Sequence, residues 1–376
     1  MIKKSVGAVL ALLFIVPSVG KVSATPSGAP RVSAESAVLI EAATGDVIYE
    51  KDAKKRLPMA STTKIMTALV ALSASDLDEP FPVSEEAVGV EGSSVYLEAG
   101  ETVTLRDLLF ALMLESANDA AAAIAIRVGG SIDGFAAMMN EKAEELDLPD
   151  THFTNPHGLD DPEHYTTAYD LAALTRAALR NAEFEKIVSA KTTDAFSLGT
   201  TRKLVNHNRL LWSVDGAIGV KTGFTKRSGR CLVSAVRRDG VLTVAVTLND
   251  PNDWTDHKAL HEYGQSAYES RTLAEPGSVS VGIPVTGGQK SRVLCASADT
   301  VSVVLKKGRK AKLTIEAPRF VPAPVSKGDA LGKAVFRVGE QTVASIPLYA
   351  DEDVGEKNGR RSFFEKILEF LGRATG

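Results

Sequence analysis

Cysteine is nearly absent: Cys231 and Cys295 are the only two in 376 residues. That excludes the disulfide-dense scaffold of small secreted domains. Both lie in apolar, strand-like runs assigned to different domains, so two buried free thiols are expected rather than a bridge. An excess of either charge is also missing. Lys and Arg number 43 against 47 Asp and Glu, a formal charge of -4, which leaves no basic footprint for nucleic acid. No internal repeat of fixed period is present. A zinc-protease H-E-x-x-H is absent as well. His257 and His261 have the four-residue spacing of a zinc pair but neither that acid nor an obvious third ligand, so they are expected on the polar face of a helix. No metal or cofactor is implied.

With 44% hydrophobic and 24% charged residues, the chain has the composition of folded globular protein, and its length suits two domains plus short appendages. Lys3 and Lys4 precede an apolar run, Val6 to Val16, and Val22-Ser23-Ala24 fits a small-residue cleavage site. The run is too short to span a bilayer comfortably and reads as an export signal over residues 1–24, against the alternative of a retained anchor. A Pro/Gly/Ser linker follows, then a hairpin over Ala37–Ile40 and Gly45–Tyr49. Helical patterns begin at Pro58 and recur at Leu105–Leu114, Ala120–Val128 and Thr167–Arg180, the last with Thr167 and Asp170 spaced as a capping box. Strand patterns return at Ala217–Thr222, Cys231–Val236 and Val241–Leu248. Strands at both ends of a helical middle predict an α+β domain, a mixed sheet packed by helices, over residues 25–275.

Beyond Glu275-Pro276-Gly277 short alternating runs separated by Gly, Pro and Lys turns predict a small all-β domain over 276–352. The tail, 353–376, changes again. From Ser362 to Arg373, Phe363, Phe364, Ile367, Leu368, Phe370 and Leu371 fill one arc of roughly 160° on a helical wheel. Twelve residues cover roughly 18 Å, too little to cross a membrane. An interfacial helix lying on the membrane surface, preceded by Lys357, Arg360 and Arg361, is expected; docking on protein is the alternative.

Three short motifs carry chemistry. Ser61-Thr62-Thr63-Lys64 stands at a helix start, where residues three apart share a face. A serine hydroxyl needs a base to become a nucleophile, and a lysine among apolar side chains loses its proton more easily. Ser116-Ala117-Asn118 falls at the break between two apolar helices, where side chains can converge on a cleft. Lys221-Thr222-Gly223 ends a strand, with donors for a carboxylate and a Gly that permits close approach. Each alone also reads as a cap, a turn or a solvated lysine. In this order, on helix start, interhelix loop and strand end, they form the S-x-x-K, S-x-N, K-T-G set.

The sequence resembles the low-molecular-weight penicillin-binding proteins, the D-alanyl-D-alanine carboxypeptidases, over nearly the whole chain after the signal. Supporting stretches are Pro58–Thr67, Glu115–Ala120, Asn155–Asp160 and Gly219–Gly223. The resemblance implies a β-lactamase/transpeptidase-like catalytic domain, a β-rich second domain and an amphipathic C-terminal anchor. It implies Ser61 as nucleophile, Lys64 as base and Ser116 as proton relay. Asn118 would hold the substrate peptide, Lys221 and Thr222 its terminal carboxylate, and the N–H groups of Ser61 and Phe224, beside Gly223, the oxyanion. Peptidoglycan stem peptides and β-lactam antibiotics are the implied partners, and the outer face of the bacterial cytoplasmic membrane the implied location. Phe224 stands where some relatives carry histidine, and Ala117 where Gly is frequent. The loop Asn155–Asp161 is expected as a wall of the cleft. A cross-link-cleaving endopeptidase and a catalytically weak penicillin sensor are the rival readings.

Overall fold

The computed structural model describes residues 28–73, 76–196 and 200–357; the expected signal and the amphipathic segment lie outside them. A five-stranded sheet is built from β1 (Ser36–Glu41), β2 (Val47–Lys51), β7 (Ala217–Thr225), β8 (Gly229–Arg238) and β9 (Val241–Leu248). Its order is β2-β1-β9-β8-β7 with every neighbour antiparallel. The first two described strands thus form one side of the sheet, a long helical excursion follows, and the chain returns on the other side.

Strand β1 is buried at every position because both faces are covered, which is why it reads as an unbroken apolar run. Val38 and Ile40 pack into the helical layer with Val244 and Val246. Ala37 and Leu39 point to the opposite face, where Leu260 of α8 (Asp253–Ala267) meets them. The helical layer holds α1 (Lys64–Ala71), α2 (Leu105–Phe110), α3 (Asn118–Gly129), α4 (Ile132–Glu145), α5 (Ala168–Ala178) and α6 (Ala182–Ser189), with the short α7 (Leu210–Ser213) near β7. Two small ribbons, β3 (Phe81–Pro82) with β4 (Thr102–Val103) and β5 (Thr192–Ala195) with β6 (Arg202–Val205), brace its loops. The Thr167 hydroxyl accepts from the Asp170 N–H as expected. The Asp170 carboxylate does not complete the box; it accepts from the Asp150 N–H and the Thr151 hydroxyl instead.

His257 and His261 correct the expectation of a polar face: both are fully buried on the sheet side of α8. Leu232, Ser234 and Val236 of β8 face that helix, and the Ser234 hydroxyl lies 2.5 Å from His257 Nδ1 and 2.6 Å from His261 Nε2. Thr247 and Thr243 meet the other ring nitrogens at 2.9 and 2.8 Å. Every imidazole nitrogen has a partner, so the pair is a satisfied polar island in an apolar interface. Burial pulls His261 down to about 3, which keeps that ring neutral.

After α8, β10 (Tyr268–Ala274) pairs with β13 (Val301–Lys306). A six-stranded sheet follows, in the order β14 (Lys312–Glu316), β16 (Ala330–Val338), β17 (Gln341–Ala350), β12 (Arg292–Ala296), β11 (Ser280–Thr286), β15 (Val321–Pro322). It has its own core around Ile283, Val293, Phe336 and Leu348. Cys231 belongs to the first core and Cys295 to this one, and both are buried free thiols.

Candidate active site

The segment before α1 is not the expected α-helix. Ala60–Thr63 forms one 3₁₀ turn, and the α-helix begins at Lys64. With three residues per turn, side chains three apart eclipse, which sets Lys64 directly over Ser61. Its Nζ lies 3.0 Å from Ser61 Oγ. Ala60, just before the serine, is held at φ 47°, a left-handed conformation that is strained for a residue with a Cβ.

Lys64 is fully buried. Two further oxygens touch its Nζ, each at 2.6 Å: Asn118 Oδ1 and the main-chain carbonyl of His157. Burial pushes the amine well below the ordinary lysine range; the Lys221 charge adds to this, and the Asp119 carboxylate opposes it. The two carbonyl oxygens can only accept. A neutral amine would therefore spend both N–H groups on them and aim its lone pair at the Ser61 hydroxyl.

Leu105 to Glu115 is continuous helix, but its last turn, Ala111–Glu115, is wound as a π-turn. Ser116 closes it at φ 61°, and a π-turn with a left-handed exit is a local distortion of the kind that gathers at functional sites. The reversal delivers Ser116 to the cleft and Asn118 to the first turn of α3. Gly92 backs the Asn118 amide so closely that a Cβ there would sit 2.7 Å from its Nδ2. Asp119 turns away and accepts from the Ser94 hydroxyl and from the Val95 and Leu97 N–H groups, fixing the loop over the site.

Strand β7 is the sheet edge facing the serine. A Cβ on Gly223 would lie 3.1 Å from the Ser61 nitrogen and 3.2 Å from the Met59 carbonyl, so the absent side chain lets the strand and the Ser61 turn touch. Lys221 is buried, donates to the Thr222 carbonyl at 3.0 Å, and is pulled down to about 7 by burial. Thr222, Gly223 and the exposed Phe224 line a cleft of about 650 Å³ together with Ser61 and Ser116.

The loop Asn155–Asp161 corrects a second expectation, since it does not line that cleft. It packs beneath the Ser61 turn, where Gly158, at φ 89°, sits so near Ala60 that a Cβ would be 2.0 Å from its carbonyl oxygen. Within the loop Asn155 Oδ1 accepts from the Gly158 N–H at 2.7 Å, while outside it the Pro156 carbonyl accepts from Thr67 and Asp160 Oδ1 from the Thr225 hydroxyl of β7 at 2.9 Å. The far side of the cleft carries no motif: His207, Arg209, Arg230 and Pro251 to Thr255 line it. Arg230 pairs with the buried Asp253 at 2.8 Å, and the Arg230 and Arg209 guanidinium groups lie 5.7 and 6.0 Å from the Trp254 ring. These residues come from three separate segments, with no spacing by which sequence could join them.

A serine hydroxyl facing a buried lysine amine, at the open edge of an antiparallel sheet covered by helices on both faces, defines the class of penicillin-recognising serine acyl-enzymes. The chain belongs to the D-alanyl-D-alanine carboxypeptidase family, whose sequence model matches residues 23–252. The penicillin-binding protein 5 C-terminal domain matches residues 268–356. The D-alanyl-D-alanine carboxypeptidase DacF of Bacillus subtilis (strain 168) is 32% identical over 348 residues, 89% of this chain and 89% of the relative. DacC of Escherichia coli (strain K12), of the same description, is 32% identical over 362 residues, 91% and 88% of the two chains. Among solved structures, penicillin binding protein 5 from Haemophilus influenzae has 28% identity and a TM-score of 0.65, covering 87% of this chain and 99% of that one.

Proposed function

We propose that this chain is a serine-type D-Ala-D-Ala carboxypeptidase that removes the terminal D-alanine from peptidoglycan stem pentapeptides through an acyl-enzyme on Ser61, and that penicillin acylates the same serine. The observation that carries this reading is the Lys64 amine, buried, 3.0 Å from Ser61 Oγ and tied to two carbonyl oxygens.

Ser61 Oγ attacks the carbonyl between the two D-alanines while its proton passes to the Lys64 nitrogen. The N–H groups of Ser61 and Phe224 stabilise the oxyanion, their approach made by Gly223. Ser116 relays the proton to the departing D-alanine amine as the C–N bond breaks. Asn118 holds the substrate peptide, and Lys221 and Thr222 bind the terminal carboxylate. Water then attacks the ester, Lys64 taking its proton, and Ser61 is restored with a peptide one D-alanine shorter. The backbone role at Phe224 is indifferent to its side chain.

The chain works outside the cytoplasm, peripheral to the outer face of the membrane. The Lys3-Lys4 start, the apolar run and the small-residue site support export. The amphipathic pattern of residues 362–373 supports surface attachment.

The test is incubation of the purified protein with a muropeptide pentapeptide, followed by mass. Loss of one alanine is expected. Cleavage of cross-linked dimers alone would make the protein an endopeptidase, and covalent penicillin binding without turnover would make it a sensor.

A further inference from the structure

We infer that the turn between β13 and β14 is a second, non-catalytic docking site, which holds the anionic peptidoglycan polymer while α8 presents the cleft to its stems. This rests on the carboxypeptidase reading.

Lys306, Lys307, Arg309, Lys310 and Lys312 fall within seven residues of a chain whose overall charge is -4. All five are exposed, and among the described residues none forms an ion pair. Two carboxylates on the adjoining strands are already engaged: Glu316 by Lys333 at 3.0 Å and Arg337 at 3.3 Å, and Glu269 by Arg271 at 2.9 Å. The positive charge is therefore left for a partner.

The turn is also built rather than trailing. The Arg309 N–H donates to the Lys306 carbonyl at 3.0 Å, and Gly308 supplies the left-handed φ of 82°. The Lys307 N–H donates to the carbonyl of Ala267, the last residue of α8, at 2.9 Å. Lys306 lies 5.9 Å from the Tyr268 ring. The opposite end of α8 is part of the cleft, through Asp253, Trp254 and Thr255. One helix of 15 residues, roughly 22 Å long, thus joins the cationic turn to the site of reaction.

Charge and placement select the occupant. Each uncleaved stem ends in a D-alanine carboxylate, so an uncross-linked chain is a row of negative charges. The turn exposes cations without an apolar pocket, as suits a polymer recognised by charge. Within the sheet, Lys312 pairs with Arg337 beside the β16–β17 hairpin turn, whereas the polypeptide leaves past Ala350 at the other end of a 10-residue strand. That separation, roughly 30 Å, directs the turn away from any surface holding the chain's end. Engagement at the turn raises the effective concentration of neighbouring stems at the cleft.

The experiment compares the full chain with the variant Lys307→Glu/Arg309→Glu/Lys310→Glu on two substrates, a soluble pentapeptide and uncross-linked peptidoglycan chains bearing the same stem. Unchanged kcat/KM on the soluble peptide is expected, with a loss of about tenfold on the polymer at low ionic strength. In about 0.5 M salt, which screens beyond a few ångströms, that difference should vanish. The unsubstituted protein alone should show the same salt dependence on polymer, well beyond the small one that its buried carboxylate contact gives on peptide, a reading that does not depend on the variant folding. Equal rates on polymer for both proteins, or a salt-independent parent, overturns the proposal and leaves the lysines as guards of a sheet edge. If neither substrate turns over but polymer still pellets the parent and not the variant, the carboxypeptidase reading fails and the docking site stands.

Discussion

Lys64 Nζ lies 2.6 Å from the main-chain carbonyl oxygen of His157, 93 residues further along the chain. The contact depends on Gly158, which lets that loop press against Ala60 under Ser61. Gly158→Ala places a methyl 2.0 Å from a carbonyl oxygen at a positive φ, a combination of overlap and backbone strain. The expected cost is about 2 kcal/mol or more. It should appear as a lowered Tm in thermal denaturation, with slowed penicillin acylation in whatever remains folded.

Ser61→Ala should abolish covalent labelling by a fluorescent penicillin as well as alanine release. Survival of either would refute the nucleophile. Lys64→Arg keeps a positive charge that no accessible pH removes. Its acylation rate should fall by at least about 10²-fold, the lower range for a lost general base. An arginine variant that acylates normally would shift the base to Ser116.

The pH dependence of substrate capture follows from Lys221. Burial depresses its amine from 10.5 to about 7, so the free enzyme carries the carboxylate-binding charge below pH 7 and loses it above. KM for the pentapeptide should rise as pH passes about 7. Lys221→Gln should raise KM by about tenfold or more at pH 6, the worth of a charged hydrogen bond. It should also remove the alkaline limb. Initial rates of alanine release across that range decide this.

Stability should carry a separate signature from Asp250. Its carboxyl is fully buried, Oδ2 has no hydrogen-bond partner, and Ser33 Oγ donates to Oδ1 at 2.6 Å while also lying 2.9 Å from Asp256 Oδ2. Burial and then the Asp256 charge push it from 3.8 up to about 6, against the Ser33 hydrogen bond. The folded state therefore holds a proton that the unfolded chain has released. That stabilisation is intact below about pH 4 and is lost as pH rises through about 6. Asp250→Asn should flatten this fall in denaturant midpoints between pH 4 and pH 7. An unchanged slope would place the titration elsewhere.

Deleting residues 362–373 should release the protein from membranes in a fractionation assay without changing turnover of soluble peptide. Retention would identify an uncleaved N-terminal segment as the anchor.

Much of the site was legible because its chemistry is local. Ser61 and Lys64 share one turn, Ser116 and Asn118 one helix break, and Lys221 to Gly223 one strand end. Three local signals in order are hard to produce by chance. The hairpin β1–β2 and strands β8 and β9 were legible for a similar reason, since apolar runs bounded by turn residues have few other uses. His257 and His261 were misplaced because their polarity pointed outward. Nothing local reveals that Ser234, Thr243 and Thr247 on two strands would satisfy four ring nitrogens in the dry interior.

The amino-acid sequence by itself determined the three motifs, the order of the elements and the change of character near Glu275, because residue type, period and turn chemistry are properties of neighbours in the chain. Tertiary structure alone decided what makes the groups reactive. Lys64 is an ordinary lysine until burial and the nearby Lys221 charge strip its preference for a proton, while two carbonyl oxygens from α3 and a distant loop fix the direction in which its amine points. Desolvation and the repulsion of like charges act through space, and only the folded chain brings Asn118, His157 and Lys221 into that space.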